Sequence, residues 1–457
     1  MVITAADSKK VAGRFSFPRG VHPAENKEIT ENVPVRRVQP ASGATVVVPM
    51  SQHLGAPCQP TVEAKQEVKT GQEIGSSDAF VSAPVHSPVN GTVKEISPQP
   101  HPSGRKVLSV VIKVGDEQPA ENQWQELPEG FAEKIEQLES EEIIRTIRKA
   151  GIVGMGGAAF PTAVKLVRNE NKPVDTVILN GCECEPYLTS DYRLMLEAPK
   201  PIVAGLQLAM RAAGAKQGII AIEDNKPDAI SIILMEIKKT ENIQIAICRT
   251  KYPQGGERQL INAVLGRVVP TGGLPLDVGV VVVNVGTASA ISLACAEDRP
   301  LTERIVTLTG RGIKEPGNYL VPVGMMLADL IDQAGGLTDD AEKVLLGGPM
   351  MGPSTGHLNV PIMKGTSGIT VMSRAEVCRE PETACIRCSR CVDHCPLKLV
   401  PTKIAHAVKA GDLETAQRYD LMACIECGCC GYICPAQIPL LQYMRSGKAA
   451  VQAARRK

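Results

Sequence analysis

Two cysteine runs constrain this chain more than any other feature. Cys385, Cys388, Cys391 and Cys395 precede Pro396, and Cys424, Cys427, Cys430 and Cys434 precede Pro435, so C-x2-C-x2-C-x3-C-P occurs twice. Three thiolates at steps of three wrap one face of an iron–sulfur cubane, while the fourth, diverted by the proline, is carried toward the other cluster. On that pattern Cys385, Cys388, Cys391 and Cys434 bind one 4Fe-4S cluster, and Cys424, Cys427, Cys430 and Cys395 bind a second. The alternative is zinc, which usually takes two C-x2-C pairs separated by a longer loop, not four cysteines within so short a run. Ten of the fifteen cysteines lie between Cys378 and Cys434. Cys378 and Cys429 fall outside the pattern and read as spare thiols, and Lys398 and Lys403 read as solvated charges.

Twin clusters move single electrons and do no hydride chemistry, so electrons must enter elsewhere. The chain has room for that: 457 residues suffice for roughly three domains. A net charge of +1 supplies no overall field for nucleic acid. Aromatic residues make up only 3%, with five Phe and one Trp, so a planar ligand must stack on very few rings. MVITAADSKKVAGRF lacks an apolar core followed by a cleavage site, which predicts a cytoplasmic chain whose thiols stay reduced. The uncharged stretch from Val278 to Ala296 is broken by Gly279, Asn284, Gly286, Thr287, Ser289 and Ser292. It reads as a buried strand, a loop and a buried helix, not a membrane span.

The remaining chain divides by pattern. An amino-terminal extension (1–40) precedes short β-branched runs between Val46 and Val114, which predict an all-β unit over 41–125. KTGQEIG followed by APVHSPVNGTVKEI resembles half of a biotinyl or lipoyl carrier domain, but the hairpin at Ser87 to Gly91 has no carrier lysine, which favours a packing or docking module. Ser140, Glu141 and Glu142 predict the start of a helix running through Ala150. TVILNG, QGIIAIED, IQIAICR and GVVVVNVG alternate with helical spacing such as Pro201 to Ala215, which predicts a parallel α/β domain over 126–300. Arg304 to Leu337 reads as strand, turn, strand and helix, resembling the soluble-ligand-binding β-grasp module (301–372). The cluster domain occupies 373–457, with a helical segment from Lys403 to Tyr419.

GIVGMGGAAFPT, Gly151 to Thr162, suits close approach of backbone N–H groups to a phosphate or a flavin ring, with Lys165 placed to pair with the phosphate. A plain helix-packing turn has the same composition. Further on, TVILN runs into NGCECEPYLTSD, which puts Asn180, Glu183 and Glu185 at the carboxyl end of a strand. Carboxylates there can accept ribose hydroxyls, and a solvated acidic turn reads alike.

GMGGAAFPTAVK, NGCECEPY, YPQGGERQL and VVNVGT, in this order, resemble the flavin- and NADH-binding motifs of the NADH-oxidising subunit of respiratory complex I. With the leading FPRGVHPAENK, the β-grasp module and the twin-cluster tail, nearly the whole chain resembles the C-subunit family of Rnf electron-transport complexes. The resemblance implies a multidomain α/β protein: a barrel-sandwich hybrid, a Rossmann-like FMN and NADH domain, a β-grasp module, and a helical ferredoxin domain with two 4Fe-4S clusters. It implies non-covalent FMN held by Gly154, Gly156, Gly157 and Lys165, with Asn180 and Glu183 at the isoalloxazine. Glu257, Asn284 and Thr287 would complete the pocket. Phe160 would stack on NADH, and Glu185 would take a ribose hydroxyl or the nicotinamide amide, so Glu183 and Glu185 are the catalytic candidates. Met155 and Cys182 stand where complex I has Arg and Asp. Cys182 and Cys184 read as buried apolar thiols.

The implied activity is that of the NADH-oxidising or NAD-reducing subunit of a ferredoxin:NAD oxidoreductase, with hydride exchange between NADH and FMN and single-electron transfer through the clusters, coupled to ion translocation. The implied partners are an iron–sulfur subunit and integral membrane subunits, with ferredoxin reached indirectly. The implied location is peripheral, at the cytoplasmic face of the cell membrane. A soluble cobalamin reductase shares the flavin loop, β-grasp module and clusters but tends to begin near the glycine loop. An electron carrier or scaffold without an NADH site is the other rival.

Overall fold

The computed structural model describes residues 10–120 and 123–455. The first nine residues, part of the stretch read for a leader, lie outside the described residues.

The flavin-type domain is built on a five-stranded, all-parallel sheet in the order Val11–Phe15, Ile243–Cys248, Gln217–Glu223, Thr176–Gly181, Val280–Asn284. Strands Thr176–Gly181, Gln217–Glu223 and Val280–Asn284 are almost wholly buried, with their polar residues near the ends, as expected of strands covered on both faces. The edge strand comes from the amino-terminal extension, whose next strand, Val35–Arg37, instead joins the β-grasp sheet. The expected loop between Val280–Asn284 and the following helix does not form: the helix Val285–Glu297 starts at once, because Asn284 serves both as last strand residue and as cap.

Helix Pro199–Ala213 packs closely on Val285–Glu297 at Gly205, where a Cβ would stand 1.8 Å from the carbonyl oxygen of Ala288. Backbone cannot yield as a flexible side chain would, so Gly205→Ala should destabilise this domain by at least about 2–3 kcal/mol. A thermal melt should show it as a drop of several degrees.

Residues 45–114 form two facing sheets, Thr45–Pro49/Lys106–Val114/Gly91–Pro100/Glu67–Val68 and Gln59–Pro60/Glu73–Ser76/Val85–His86, around a core of valines and isoleucines. The segment from Ser87 to Asn90 is not a hairpin, since the strands on either side of it belong to different sheets. The β-grasp module pairs Glu303–Thr309 antiparallel with Gly317–Pro322, beside helix Leu327–Gln333. In the carboxyl-terminal domain the segment expected as one helix splits into Pro401–Lys409 and Leu413–Arg418 at Gly411, whose φ is 76°.

Candidate functional site

The site forms where the parallel strands end. Asn180 and Asn284 are register partners on neighbouring strands. Asn284 Oδ1 accepts from the amides of Gly286 (2.9 Å) and Thr287 (3.3 Å), capping the helix, while its Nδ2 donates to Asp191 at 2.6 Å. Thr287 Oγ1 accepts from the Met155 amide at 2.8 Å, so the capped helix end is tied to the glycine-rich loop. That loop closes on itself through Gly154 N to Phe160 O (2.8 Å) and Ala159 N to Gly154 O (3.1 Å). Gly156, Gly157 and Ala158 are exposed, Phe160 is half-buried, and Gly157 has φ 104°, which a side chain would strain. Lys165 Nζ donates to Glu257 and to the Val282 carbonyl, both at 2.8 Å. Asn180 Nδ2 donates to the Gly255 carbonyl at 2.8 Å and its Oδ1 accepts from the Cys182 amide at 3.2 Å.

The acidic turn is built around its carboxylates. Glu183 sits at φ 46°, and its carboxylate accepts from the amides of Asp191 (2.7 Å) and Tyr192 (3.1 Å) and from the Ser190 hydroxyl (3.3 Å), capping helix Ser190–Glu197. Glu185 Oε1 accepts from the amides of Met350 (2.7 Å) and Met351 (3.0 Å) on the β-grasp module. Glu185 also meets the Tyr252 hydroxyl, and burial pushes its carboxyl above the usual range. That hydroxyl donates to the Cys427 carbonyl at 2.7 Å.

Three residues that sequence reasoning left unassigned stand out here. Lys27 is buried and its Nζ donates to the carbonyls of Glu183 (2.9 Å), Glu185 (3.0 Å) and Leu188. Tyr252 joins the acidic turn to the cluster domain. Burial, followed by the Glu183 charge, pushes the Asp191 carboxyl up to about 7. Each lies inside a motif already conspicuous: Lys27 in FPRGVHPAENK, Asp191 at the end of NGCECEPYLTSD, Tyr252 at the start of YPQGGERQL. Of the two thiols in the turn, Cys182 is fully buried, while half-buried Cys184 accepts from the Gly255 amide at 3.2 Å; burial contributes to holding both as thiols.

The cysteine runs exchange their fourth members. Cys395 lines one cavity with Cys424, Cys427 and Cys430, and Cys434 lines another with Cys385, Cys388 and Cys391. Among the described residues no set of three such side chains is grouped to hold a single metal ion; the thiols stand around cavities of about 20 Å³ each. Two sets of four thiols, each around its own cavity, suit two cubanes. Cys429, expected to be spare, is buried beside Tyr252, and Cys378 is exposed.

Three domains meet behind the glycine-rich loop. Buried Lys364 donates to the carbonyls of Pro84 in the β-sandwich (2.8 Å) and Gly151 (2.7 Å), and the Leu54 amide donates to Ala159 at 3.1 Å. Burial, helped by the Lys364 charge, holds His86 down to about 3 and His53 down to about 4, and burial lowers Lys364 itself to about 7. Both histidines have folded values below the unfolded one, so at neutral pH they cost nothing. Below about 6.5 the unfolded chain binds protons the folded chain refuses, and stability falls as pH falls toward 4. One unit below 6.5 each histidine removes about 1.4 kcal/mol. Lys364 acts in a higher window, adding stability as pH rises from about 7 toward 10.5. The thermal midpoint should therefore be lower at pH 5.5 than at 7.5, and His86→Gln should reduce the difference.

Comparison with known proteins follows the same divisions. Residues 15–117 match the RnfC barrel sandwich hybrid domain, 147–293 the Nuo51 FMN-binding domain, 305–354 the SLBB domain and 384–439 the 4Fe-4S dicluster domain. The C-subunit of the proton-translocating ferredoxin:NAD(+) oxidoreductase complex of Clostridium ljungdahlii is 44% identical over 442 residues, covering 96% of this chain and 94% of that protein. Its counterpart in the Na(+)-translocating complex of Acetobacterium woodii is 42% identical, covering 97% and 98%. The C-subunit of the ion-translocating oxidoreductase complex of Rhodobacter capsulatus is 39% identical, covering 95% and 83%.

Proposed function

The chain belongs to the C-subunit family of ion-translocating ferredoxin:NAD(+) oxidoreductases, and from that premise we propose how its own residues serve NADH-linked electron transfer. It is an oxidoreductase component of a multi-subunit electron-transport complex, with FMN and two 4Fe-4S clusters as its cofactors. When bound, FMN exchanges a hydride with the nicotinamide and parts with its electrons singly, which the clusters can accept.

The residues present suit that cofactor. Gly156, Gly157 and Ala158 present exposed backbone, no other group lies within 4 Å of the place a Cβ would take on Gly157, and Lys165 supplies positive charge. Lys165 is balanced by Glu257, which leaves the pair able to open toward a phosphate or close on itself. Asn180 and Asn284, register partners on neighbouring strands, hold the strand ends at a fixed spacing and would face the flavin ring. A carboxylate offers about four lone-pair sites. Glu183 spends three on capping, and its part is chiefly to fix the turn; Glu185 retains a site for a ribose hydroxyl or the nicotinamide amide while holding the Met350 turn. Half-buried Phe160 provides the ring on which NADH stacks.

The observation that carries the reading is the continuous contact from glycine loop and acidic turn, through Glu185 and Tyr252, to the Cys427 carbonyl. The entry of hydride and the exit of electrons are thus served by one packed unit. We place the chain peripherally at the cytoplasmic face of a membrane, with electrons passing to iron–sulfur and integral membrane subunits. Among the described residues no helix is long and apolar enough to cross a membrane.

Gly157→Val tests the flavin half. The left-handed backbone and the added side chain should cut FMN occupancy at least tenfold while leaving iron content unchanged, read from released flavin fluorescence and iron assay. Unaltered flavin content would remove the loop from the site.

A further inference from the structure

The two thiol sets differ in their surroundings. Cys395 and Cys427 are buried, Tyr252 donates to the Cys427 carbonyl, and Met350, Tyr252, Cys427 and Cys429 share one buried cluster. Met350 is also the residue whose amide Glu185 holds, so this inner set adjoins the acidic turn. In the outer set Cys391 is buried on the short helix Arg390–Asp393, while Cys385 and Cys388 lie on irregular chain before it. Cys388 is exposed, and Ile386 beside it is 67% exposed, an apolar side chain in open solvent next to a redox centre.

Charge distinguishes that surface further. On the ligand-bearing segment 385–395 the basic groups are Arg387 and Arg390, both exposed, and the acidic group is Asp393. Neither guanidinium has an ion-pair partner among the described residues, nor does exposed Lys403, next to Thr402 in the outer cavity wall. Of the acids on 380–395, Glu382 pairs with Lys409 at 3.2 Å, while exposed Glu380 and Asp393 have no ion pair among the described residues, so Arg387, Arg390 and Lys403 leave the surface net positive. An exposed aliphatic side chain on a segment that carries unpaired cations fits an acidic partner: the apolar tip excludes water while the charges steer the approach.

We propose that the Cys385–Cys388–Cys391–Cys434 cluster is the electron exit, and that Ile386, Arg387, Arg390 and Lys403 form a docking surface for a redox protein whose own centre lies under an acidic face. The inference rests on the flavin-to-cluster reading above for the direction of flow within the chain, but the surface itself can be tested separately. The balance is NADH plus two ferric haems giving NAD(+), a proton and two ferrous haems.

The probes are cytochrome b5 as an acidic haem acceptor and cytochrome c as a basic one, each reduced by the FMN- and iron-loaded full chain with NADH. Reduction of cytochrome b5 should slow as salt rises, and Arg387→Glu/Arg390→Glu should lower its low-salt rate at least tenfold while raising that of cytochrome c. A readout without turnover is binding of zinc-substituted cytochrome b5, which should be salt-sensitive and weakened at least tenfold in the variant. Iron content and NADH bleaching of flavin, measured on the same samples, should match the parent. Arg390→Gln alone, a milder change, should reduce both readouts in the same direction. Equal cytochrome b5 rates and equal binding in parent and variant, or no salt dependence in the parent, would overturn the docking surface. Failure of NADH to bleach the flavin would instead overturn the underlying reading, leaving the binding measurement to decide the surface.

Discussion

Replacing Cys388 by alanine should leave NADH able to reduce the flavin and the inner cluster while electron delivery to a protein acceptor falls by at least a hundredfold. The expectation follows from the way the thiols are shared. Cys388 lines the outer cavity with Cys385, Cys391 and Cys434, and the inner cavity is formed without it. Its position on exposed, irregular chain means that its loss removes a ligand and little packing. The check is electron paramagnetic resonance of the NADH-reduced variant, which should show one cluster signal where the parent shows two, together with acceptor reduction. Loss of flavin reduction in a folded variant would contradict the division of labour between the domains.

Lys27→Met should be the most damaging single change outside the cluster domain. A methionine stem fills similar space, but the carbonyls of Glu183, Glu185 and Leu188 lose their shared donor in a buried setting. Unsatisfied buried acceptors cost about 1–3 kcal/mol each, so a total of about 3–5 kcal/mol is expected even with some relaxation. The acidic turn carries both Glu183 and Glu185, so FMN should also be released, by at least tenfold in affinity. A flavin titration alongside a denaturant melt separates these effects: a loss of stability with flavin affinity unchanged would mean that the turn does not contact the cofactor.

The two cysteine runs made the carboxyl-terminal domain legible, because cluster chemistry leaves its ligands at fixed spacing along the chain; even the exchange of Cys395 and Cys434 between sets is implicit in the proline that follows each. The parallel sheet was legible for a related reason: strands buried on both faces read as runs such as VVVVN and TVILNG. The long-range devices were not. Nothing local to Lys27 announces that it will bind the carbonyl of Glu183, 156 residues further along the chain, and nothing local to Lys364 that it will bind that of Gly151. A buried lysine and a solvated one look alike in sequence. The same limit explains the edge strand Val11–Phe15, short and half-exposed, whose pairing with Ile243–Cys248 is fixed by tertiary position and not by its own pattern. Glu183 and Glu185 were conspicuous as carboxylates at a strand end, but which donors they would hold depended on the helix at Ser190 and on a β-grasp turn far along the chain.

The central claim is that electrons enter this chain as hydride and leave singly through its own clusters. The most direct test is an anaerobic titration of the FMN- and iron-loaded chain with NADH, following flavin absorbance and cluster resonance together. The account predicts that flavin bleaches and both cluster signals then appear, without any partner protein. Clusters that assemble fully yet stay oxidised, over a flavin that NADH does not bleach, would contradict it.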